Sequence, residues 1–194
     1  MRLLIETPRL TLRPFDAADA RRIAYLAGEY EVARMCGRVP SPYSLVHAEE
    51  WVASHDQLRQ RGQEYPFAVT LERDGLIGSC GVTRLPGIAA WEIGYWFGVP
   101  YWGQGFASEA ARAVMDWAGV ELDATSFTAG HFFDNPASGA VLRKLGFVQA
   151  DKGELFGLAR GGKAPVERYV WPASITGDSC AIARSAQPAN RRAG

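Results

Sequence analysis

The sequence predicts an α/β domain with strands and helices interleaved along the chain, and three observations carry that prediction. Between Trp91 and Trp117 (WEIGYWFGVPYWGQGFASEAARAVMDW) an aromatic, β-branched run gives way to a glycine-rich turn and then to apolar residues at helical spacing. Arg73-Asp74-Gly75 is a turn signal between two runs that read as strands, Phe67 to Glu72 and Leu76 to Arg84. Asn135 followed by Pro136 reads as the N-cap and first position of a further helix.

Composition narrows the class. A chain of 194 residues, 47% hydrophobic and 22% charged, is long enough for one well-buried core. With 21 basic and 21 acidic residues it carries no polyanion footprint, so no nucleic-acid partner is expected. Cys36, Cys80 and Cys180 are scattered and odd in number, which is neither a disulfide framework nor zinc-ligand spacing and fits a reducing compartment. No apolar run approaches the length of a membrane span, and the first residues do not read as a signal peptide. A cytoplasmic protein without membrane or metal is expected, as monomer or homodimer. One domain is expected over residues 1–172. From residue 173 to 194 the chain turns to Ala, Ser, Gly, Pro and Arg, which predicts a disordered tail.

Taken in order, Leu3 to Phe15 alternates around Leu10 and Leu12 and predicts a first strand. Asp16 is placed to cap a helix over Ala17 to Tyr30 with Ile23, Leu26, Ala27 and Tyr30 inward, and a short helix is expected before Cys36-Gly37. Ser44 caps a predicted helix from Leu45 to Gln60, with Ala48, Trp51, Val52 and His55 on one side. His47 and His55 are eight apart without a completing carboxylate, so packed or solvated histidines are expected rather than a metal pair. Gly78 and Gly81 weaken the strand after the turn, at a bulge or a close contact. In the strand from Glu92 to Phe97, alternation puts Glu92, Gly94 and Trp96 on one face and Ile93, Tyr95 and Phe97 on the other. Pro100 ends that strand, and Phe106, Ala110, Ala113, Val114 and Trp117 form the buried stripe of a helix that ends near Gly119. Ser126 to Phe132 is the next strand. In the helix after Asn135, Ala137, Val141, Leu142 and Leu145 face inward and Gly146 is the stop. Phe147 to Ala150 and Val166 to Trp171 read as final strands joined by a glycine-rich arm containing Gly153, Gly157, Gly161 and Gly162.

The turn before the long helix is where chemistry enters. A helix start offers N–H groups without intrahelical partners and the positive end of a dipole, and glycines there let a diphosphate approach the main chain. A Walker A loop is excluded, because no lysine occurs between Trp91 and Trp117. A dinucleotide fingerprint fits poorly, with Ser108 at its third glycine and no βαβ repeat around it. The stretch instead resembles the Arg/Gln-x-x-Gly-x-Gly/Ala signature of the GCN5-related N-acetyltransferases (GNAT), with Gly105 and Ala107 on its last two positions and Trp102 in place of the leading Arg or Gln. Asp134 to Phe147 (DNPASGAVLRKLGF) is similar to the second element of that family, Asn-x-x-Ser/Ala followed by Lys-x-Gly-Phe, about thirty residues on. Thr7 to Pro14 (TPRLTLRP) and the spelling Tyr-Trp-Gly-x-Gly-Phe-Ala-x-Glu-Ala resemble the branch that contains the Rim-type ribosomal-protein N-terminal acetyltransferases.

The resemblance covers Leu3 to Trp171 and implies a fold and an activity. The fold is a mixed, mostly antiparallel twisted sheet flanked by helices, splayed between the strands at Glu92–Val99 and Ser126–Phe132. The activity is acetyl transfer from acetyl-CoA to an amine by direct ternary-complex transfer. Pantetheine would pair with main-chain groups near Phe97, Gly98 and Val99, and the pyrophosphate would sit on N–H groups of Gly103, Gln104, Gly105, Ala107 and Ser108. Arg34 to Tyr43 would form a wall of the acceptor cleft. Arg143 and Lys144 stand where they could reach the 3′-phosphate or simply be solvated.

Transfer to an amine needs a base, a site for the oxyanion and an acid for the leaving thiolate. Glu92, on the strand before the loop, is the candidate base, with His131 as runner-up. Tyr95 faces away from Glu92 by alternation. For the acid, the tyrosine many relatives place on the helix after Asn135 falls at Leu142, whereas Ser138 matches the serine given this role in the Rim-like branch. Ser138 could equally bond its local backbone, and Asn135 could cap the helix, contact pantetheine, or both. The acceptor is left as a protein N-terminus or a small amine, and a non-catalytic acyl-CoA-binding module on the same fold stays open.

Overall fold

A computed structural model describes residues 1–171; the tail expected over residues 173–194 lies outside the described residues. Eight strands form one sheet in the order β1-β2-β3-β4-β5-β6-β8-β7. The strands are β1 (Ile5–Glu6), β2 (Thr11–Arg13), β3 (Glu64–Leu71), β4 (Gly75–Arg84), β5 (Trp91–Phe97), β6 (Phe127–Phe132), β7 (Val148–Gly157) and β8 (Gly162–Trp171). Every neighbouring pair is antiparallel except β5 with β6, which is parallel. The mixed, mostly antiparallel sheet implied by the family resemblance is therefore present.

Helices cover both faces. On one, α1 (Ala20–Ala27) and α3 (Leu45–Gln60) pack Ala20, Ile23, Ala27 and Ala48 onto Ala68 and Leu76. On the other, α4 (Phe106–Glu121) sets Phe106, Ala110, Val114 and Trp117 against Phe67, Val69, Ile93 and Phe97. The period-two split of β3 and β5 is thus realised, with Ala68 and Trp96 on the α3 side and Phe67 and Phe97 on the α4 side. Ser44 caps α3 by accepting from His47 N, and Asp16 makes a capping box with Asp19 ahead of α1. His55 is packed, as expected, between the rings of Phe15 and Trp51.

Four local expectations are corrected. The first strand is two short strands, because the chain turns back at Thr7, whose N–H donates to Leu10 O at 2.9 Å, and Ile5 pairs with Leu12. The helix expected to reach Tyr30 stops at Ala27, and the separate short helix α2 (Tyr30–Ala33) leaves Tyr30 exposed rather than inward. Ala137 is likewise exposed, in the first turn of α5 (Pro136–Lys144), where Gly139 and Leu142 carry the buried side. The glycine-rich arm is no loose connection. β7 and β8 pair along their whole length from Val148↔Val170 to Gly157↔Gly162. Its glycines hid the alternation, and at Gly153 the Arg168 guanidinium lies 2.6 Å from where a Cβ would stand. Gly81 is similarly close, with Tyr65 O at 2.6 Å from its would-be Cβ, and the register slips next to Gly78, between Val69 and Thr70.

Candidate active site

β5 and β6 pair only at Trp91↔Phe127 and Glu92↔Thr128 and then part. The splay opens toward the Phe97 end of β5, immediately before the glycine-rich turn. Trp91 N donates across to Ser126 O, and Gly98 N donates the other way to Ile77 O on β4. By alternation, the main-chain groups of Ile93, Tyr95 and Phe97 face the splay. One of them is already taken: the Trp102 indole N–H donates to Phe97 O at 2.7 Å. Trp102, which departs from the family spelling, thereby ties the turn back onto the strand and leaves the Phe97 N–H on the splayed side.

The turn then presents bare backbone to the start of α4. Gly103 and Gly105 have φ of 72° and 81°, the left-handed region that glycine enters without a Cβ penalty. The first bond of the helix runs from Glu109 N to Gly105 O, so the N–H groups of Phe106, Ala107 and Ser108 precede it without an intrahelical acceptor. A Cβ on Gly103 would meet nothing within 4 Å, so the space before the loop is open. Arg9 braces the loop from behind. It donates to Gln104 O at 2.9 Å and to Glu109 Oε2 at 2.6 Å, and its guanidinium lies over the Phe106 ring. The residues fit a diphosphate-bearing ligand held by main-chain N–H groups, the fit expected of CoA.

Asn135 and Ser138 stand on the far side of the splay. Asn135 Oδ1 accepts from Ser138 N at 3.2 Å, which makes it the N-cap of α5. The Ser138 hydroxyl lies 2.9 Å from the Tyr95 hydroxyl, so β5 and α5 are joined across the gap. Burial pushes the Tyr95 phenol well up, keeping it a neutral donor. Glu92 lies on the opposite face of β5, half-buried in a cleft bordered by Thr128, Phe132, Leu155 and Arg168. Desolvation pushes its pKa up, while the nearby Arg38 and Arg168 pull it down and Glu64 adds to the rise. No hydrogen bond or ion pair among the described residues engages its carboxylate. His131 is buried on the α5 side, with Nδ1 2.8 Å from Phe132 O and Nε2 3.6 Å from Glu167 Oε2. Glu92 and Ser138 are therefore on opposite faces, with the splay between them.

A family model described as the acetyltransferase (GNAT) domain matches residues 9–148, well over half of the chain. The chain belongs to the GNAT acetyltransferase family. Among its relatives, the N-acetyltransferase p20 of Bacillus licheniformis is 31% identical over 73% of this chain and 80% of its own length. The ribosomal-protein-serine acetyltransferase of Escherichia coli is 33% identical over 50% of this chain and 54% of its own. The solved RimL ribosomal-protein alpha-N-acetyltransferase in complex with coenzyme A superposes with a TM-score of 0.74 at 22% identity, covering 86% of this chain and 96% of that one. That likeness is one of fold.

In this GNAT chain Met35 and Gly37, from the stretch Arg34 to Tyr43, line the cleft that also holds Glu92. The stretch is pinned to the β7–β8 turn: Arg160 Nε donates to Arg34 O at 2.7 Å and Leu158 N to Gly37 O at 3.1 Å. Asp134 accepts from both Arg34 and Arg160, which holds its carboxyl below the usual range. Arg143 bonds the Tyr169 hydroxyl at 3.3 Å. Three features of the site have no signal in the sequence pattern: the Tyr95–Ser138 bond, the Trp102 tie and the Arg9 brace. Alternation puts Tyr95 away from Glu92, but its partner Ser138 lies 43 residues on and leaves no local signal. Among the described residues no group of three or more His, Cys, Asp or Glu is placed to hold a metal, and no helix is long and apolar enough to cross a membrane.

Proposed function

We propose that the protein transfers the acetyl group of acetyl-CoA to a primary amine, with a protein N-terminus as the acceptor class best matched to its base. The observation that carries this reading is the split between β5 and β6, with a desolvated carboxylate on one face and a hydroxyl pair on the other. A donor threaded between the strands meets Ser138 from one side, while an amine in the Glu92 cleft meets it from the other.

Acetyl-CoA supplies an acyl group on a thioester sulfur, and in the net reaction a C–N bond replaces the C–S bond. Glu92 takes one proton from the ammonium and passes it to solvent, exposing the nitrogen lone pair. As the sulfur leaves, it gains a proton from Ser138, and the nitrogen's second proton passes to Tyr95, so that only the proton Glu92 gave to solvent is released overall. Ser138 is resupplied through Tyr95. Main-chain groups at Phe97, Gly98 and Val99 hold the pantetheine arm, with Asn135 fixing the start of α5 beside it. Gly103, Gln104, Gly105, Ala107 and Ser108 hold the pyrophosphate.

An α-amino group near pKa 8 is about 1.5 kcal/mol from its free base at neutral pH, against about 4 to 5 kcal/mol for a lysine. A single carboxylate raised by burial suits the smaller task. The name of the E. coli relative, a ribosomal-protein-serine acetyltransferase, agrees with that acceptor class. The test is thiol release from acetyl-CoA in the presence of peptides with N-terminal serine or alanine, spermidine and free amino acids. Release with the peptides is expected. Tight acetyl-CoA binding without release on any amine would identify a binding module instead.

A further inference from the structure

Thr128 is the strand partner of Glu92 on β6, and because the pair is parallel and in register, both side chains stand on the same face. It borders the same cleft as Glu92. Its residue is only 7% exposed, and its Oγ1 is buried without any hydrogen-bond partner. Buried hydroxyls are ordinarily satisfied, and valine would fill the same volume without the cost of desolvating one. Among the described residues, the other side chain with buried, unpartnered polar atoms is His55, which packs between the rings of Phe15 and Trp51. Thr128 thus stands apart: an unsatisfied polar atom beside a carboxylate that is itself unbonded, at the point where the two strands begin to separate.

Resting on the acetyl-transfer reading above, we propose that Thr128 is an acceptor-binding residue whose hydroxyl accepts one N–H of the attacking primary amine while Glu92 accepts another. The chemistry of the amine requires such a second anchor. An ammonium has three N–H groups; once Glu92 has taken one proton, the nitrogen keeps two and gains a lone pair that must point at the acyl carbon. A single anchor leaves that nitrogen free to rotate about one hydrogen bond. Two anchors on neighbouring strands, about 4.8 Å apart along the hydrogen-bonding direction, fix the lone pair in one direction. Threonine Oγ1 has two acceptor lone pairs for this purpose and its own proton free to donate to the carboxylate. The acceptor class that fits is a primary amine, in a cleft that Met35, Gly37 and Leu155 also line.

The experiment compares wild type, Thr128→Val and Thr128→Ser by thermal unfolding, by acetyl-CoA titration calorimetry and by acceptor kinetics. The amines are the N-terminal-serine and N-terminal-alanine peptides, spermidine and free amino acids. Thr128→Val is expected to keep its melting temperature or gain about 2 to 4 °C, since it removes an unsatisfied group. It should bind acetyl-CoA as wild type does, and its kcat/KM for the acceptor should fall about tenfold or more, with Thr128→Ser recovering most of the loss. A wild-type kcat/KM in Thr128→Val overturns the proposal. So does a lowered melting temperature, because the hydroxyl would then already be bonded within the protein. If wild type releases no thiol with any of the amines, the acetyl-transfer reading fails. The thermal comparison then still decides whether the Thr128 hydroxyl is unsatisfied.

Discussion

The hydroxyl oxygens of Tyr95 and Ser138 lie 2.9 Å apart, one on the last antiparallel-paired strand before the splay and the other on the helix beyond it. Tyr95 also reaches Ser138 O at 3.3 Å, so the phenol spans the gap rather than merely touching a side chain. A serine hydroxyl is a weak acid alone. A neutral phenol held beside it by burial gives it a route for resupply.

Removing either hydroxyl should therefore separate chemistry from binding. Ser138→Ala is expected to lower turnover at saturating acetyl-CoA by roughly 10²-fold while the donor's affinity stays close to wild type. Tyr95→Phe should show a smaller loss, about fivefold, the equivalent of one neutral hydrogen bond near 1 kcal/mol. Steady-state kinetics with calorimetry check both. Weakened acetyl-CoA binding with unchanged saturating turnover in Ser138→Ala would make the serine a binding residue.

Gly105 sits at φ 81° with the Arg9 guanidinium 3.4 Å from where a Cβ would stand. Gly105→Glu places a carboxylate where the diphosphate is expected and forces a side chain into left-handed backbone, a strain of about 1 to 3 kcal/mol. A folded variant with a somewhat lower melting temperature and at least tenfold weaker CoA binding is expected by calorimetry. Unchanged affinity in the folded variant would remove the loop assignment.

Much of this frame is legible in the sequence where local chemistry is strong. Ser44 and Asn135 announce α3 and α5 because a cap is a short-range bond between a side chain and its own next turn. The strand–turn–helix of β5 and α4 is equally local, since Pro100, Gly103 and Gly105 each dictate a backbone state. The β7–β8 hairpin was obscured because four glycines break its alternation, although only Gly161, at φ 64°, answers to the turn itself. Tyr30 was placed inward by periodicity that Gly28 interrupts. The Tyr95–Ser138 bond joins residues 43 apart, and the Arg9 brace joins residues 95 and 100 apart, separations that no window of pattern reading spans.

His55 should make the fold acid-sensitive. Burial, with Arg59 nearby, lowers its pKa from 6.5 to about 4, so the folded protein holds it neutral while the unfolded chain binds a proton. Its contribution is intact above about pH 6.5 and is lost as pH falls toward 4, by up to about 3 kcal/mol. Both ring nitrogens lack partners, so His55→Leu is expected to unfold at higher temperature and to lose that part of the pH dependence. Denaturant melts between pH 4 and 7 check it, and parallel curves for the two proteins would contradict it.

Glu92 carries an opposite sign. Its folded pKa is raised, so its ionisation at neutral pH costs stability, and Glu92→Gln should melt at a higher temperature there. The same substitution should lower turnover by about 10²- to 10⁴-fold at neutral pH and recover as pH rises toward the amine's own pKa. A variant with the wild-type pH–rate profile would pass the base role to His131 or an ordered water.

The most direct test of acetyl transfer to an amine is a single-turnover reaction with acetyl-CoA and an N-terminal-serine peptide, sampled at matched times for free thiol and for peptide mass. One acetylated peptide is expected for every thiol released, with the acetyl group on the α-amine. Thiol release without acetylated peptide would mean that water is the acceptor, and it would contradict the account.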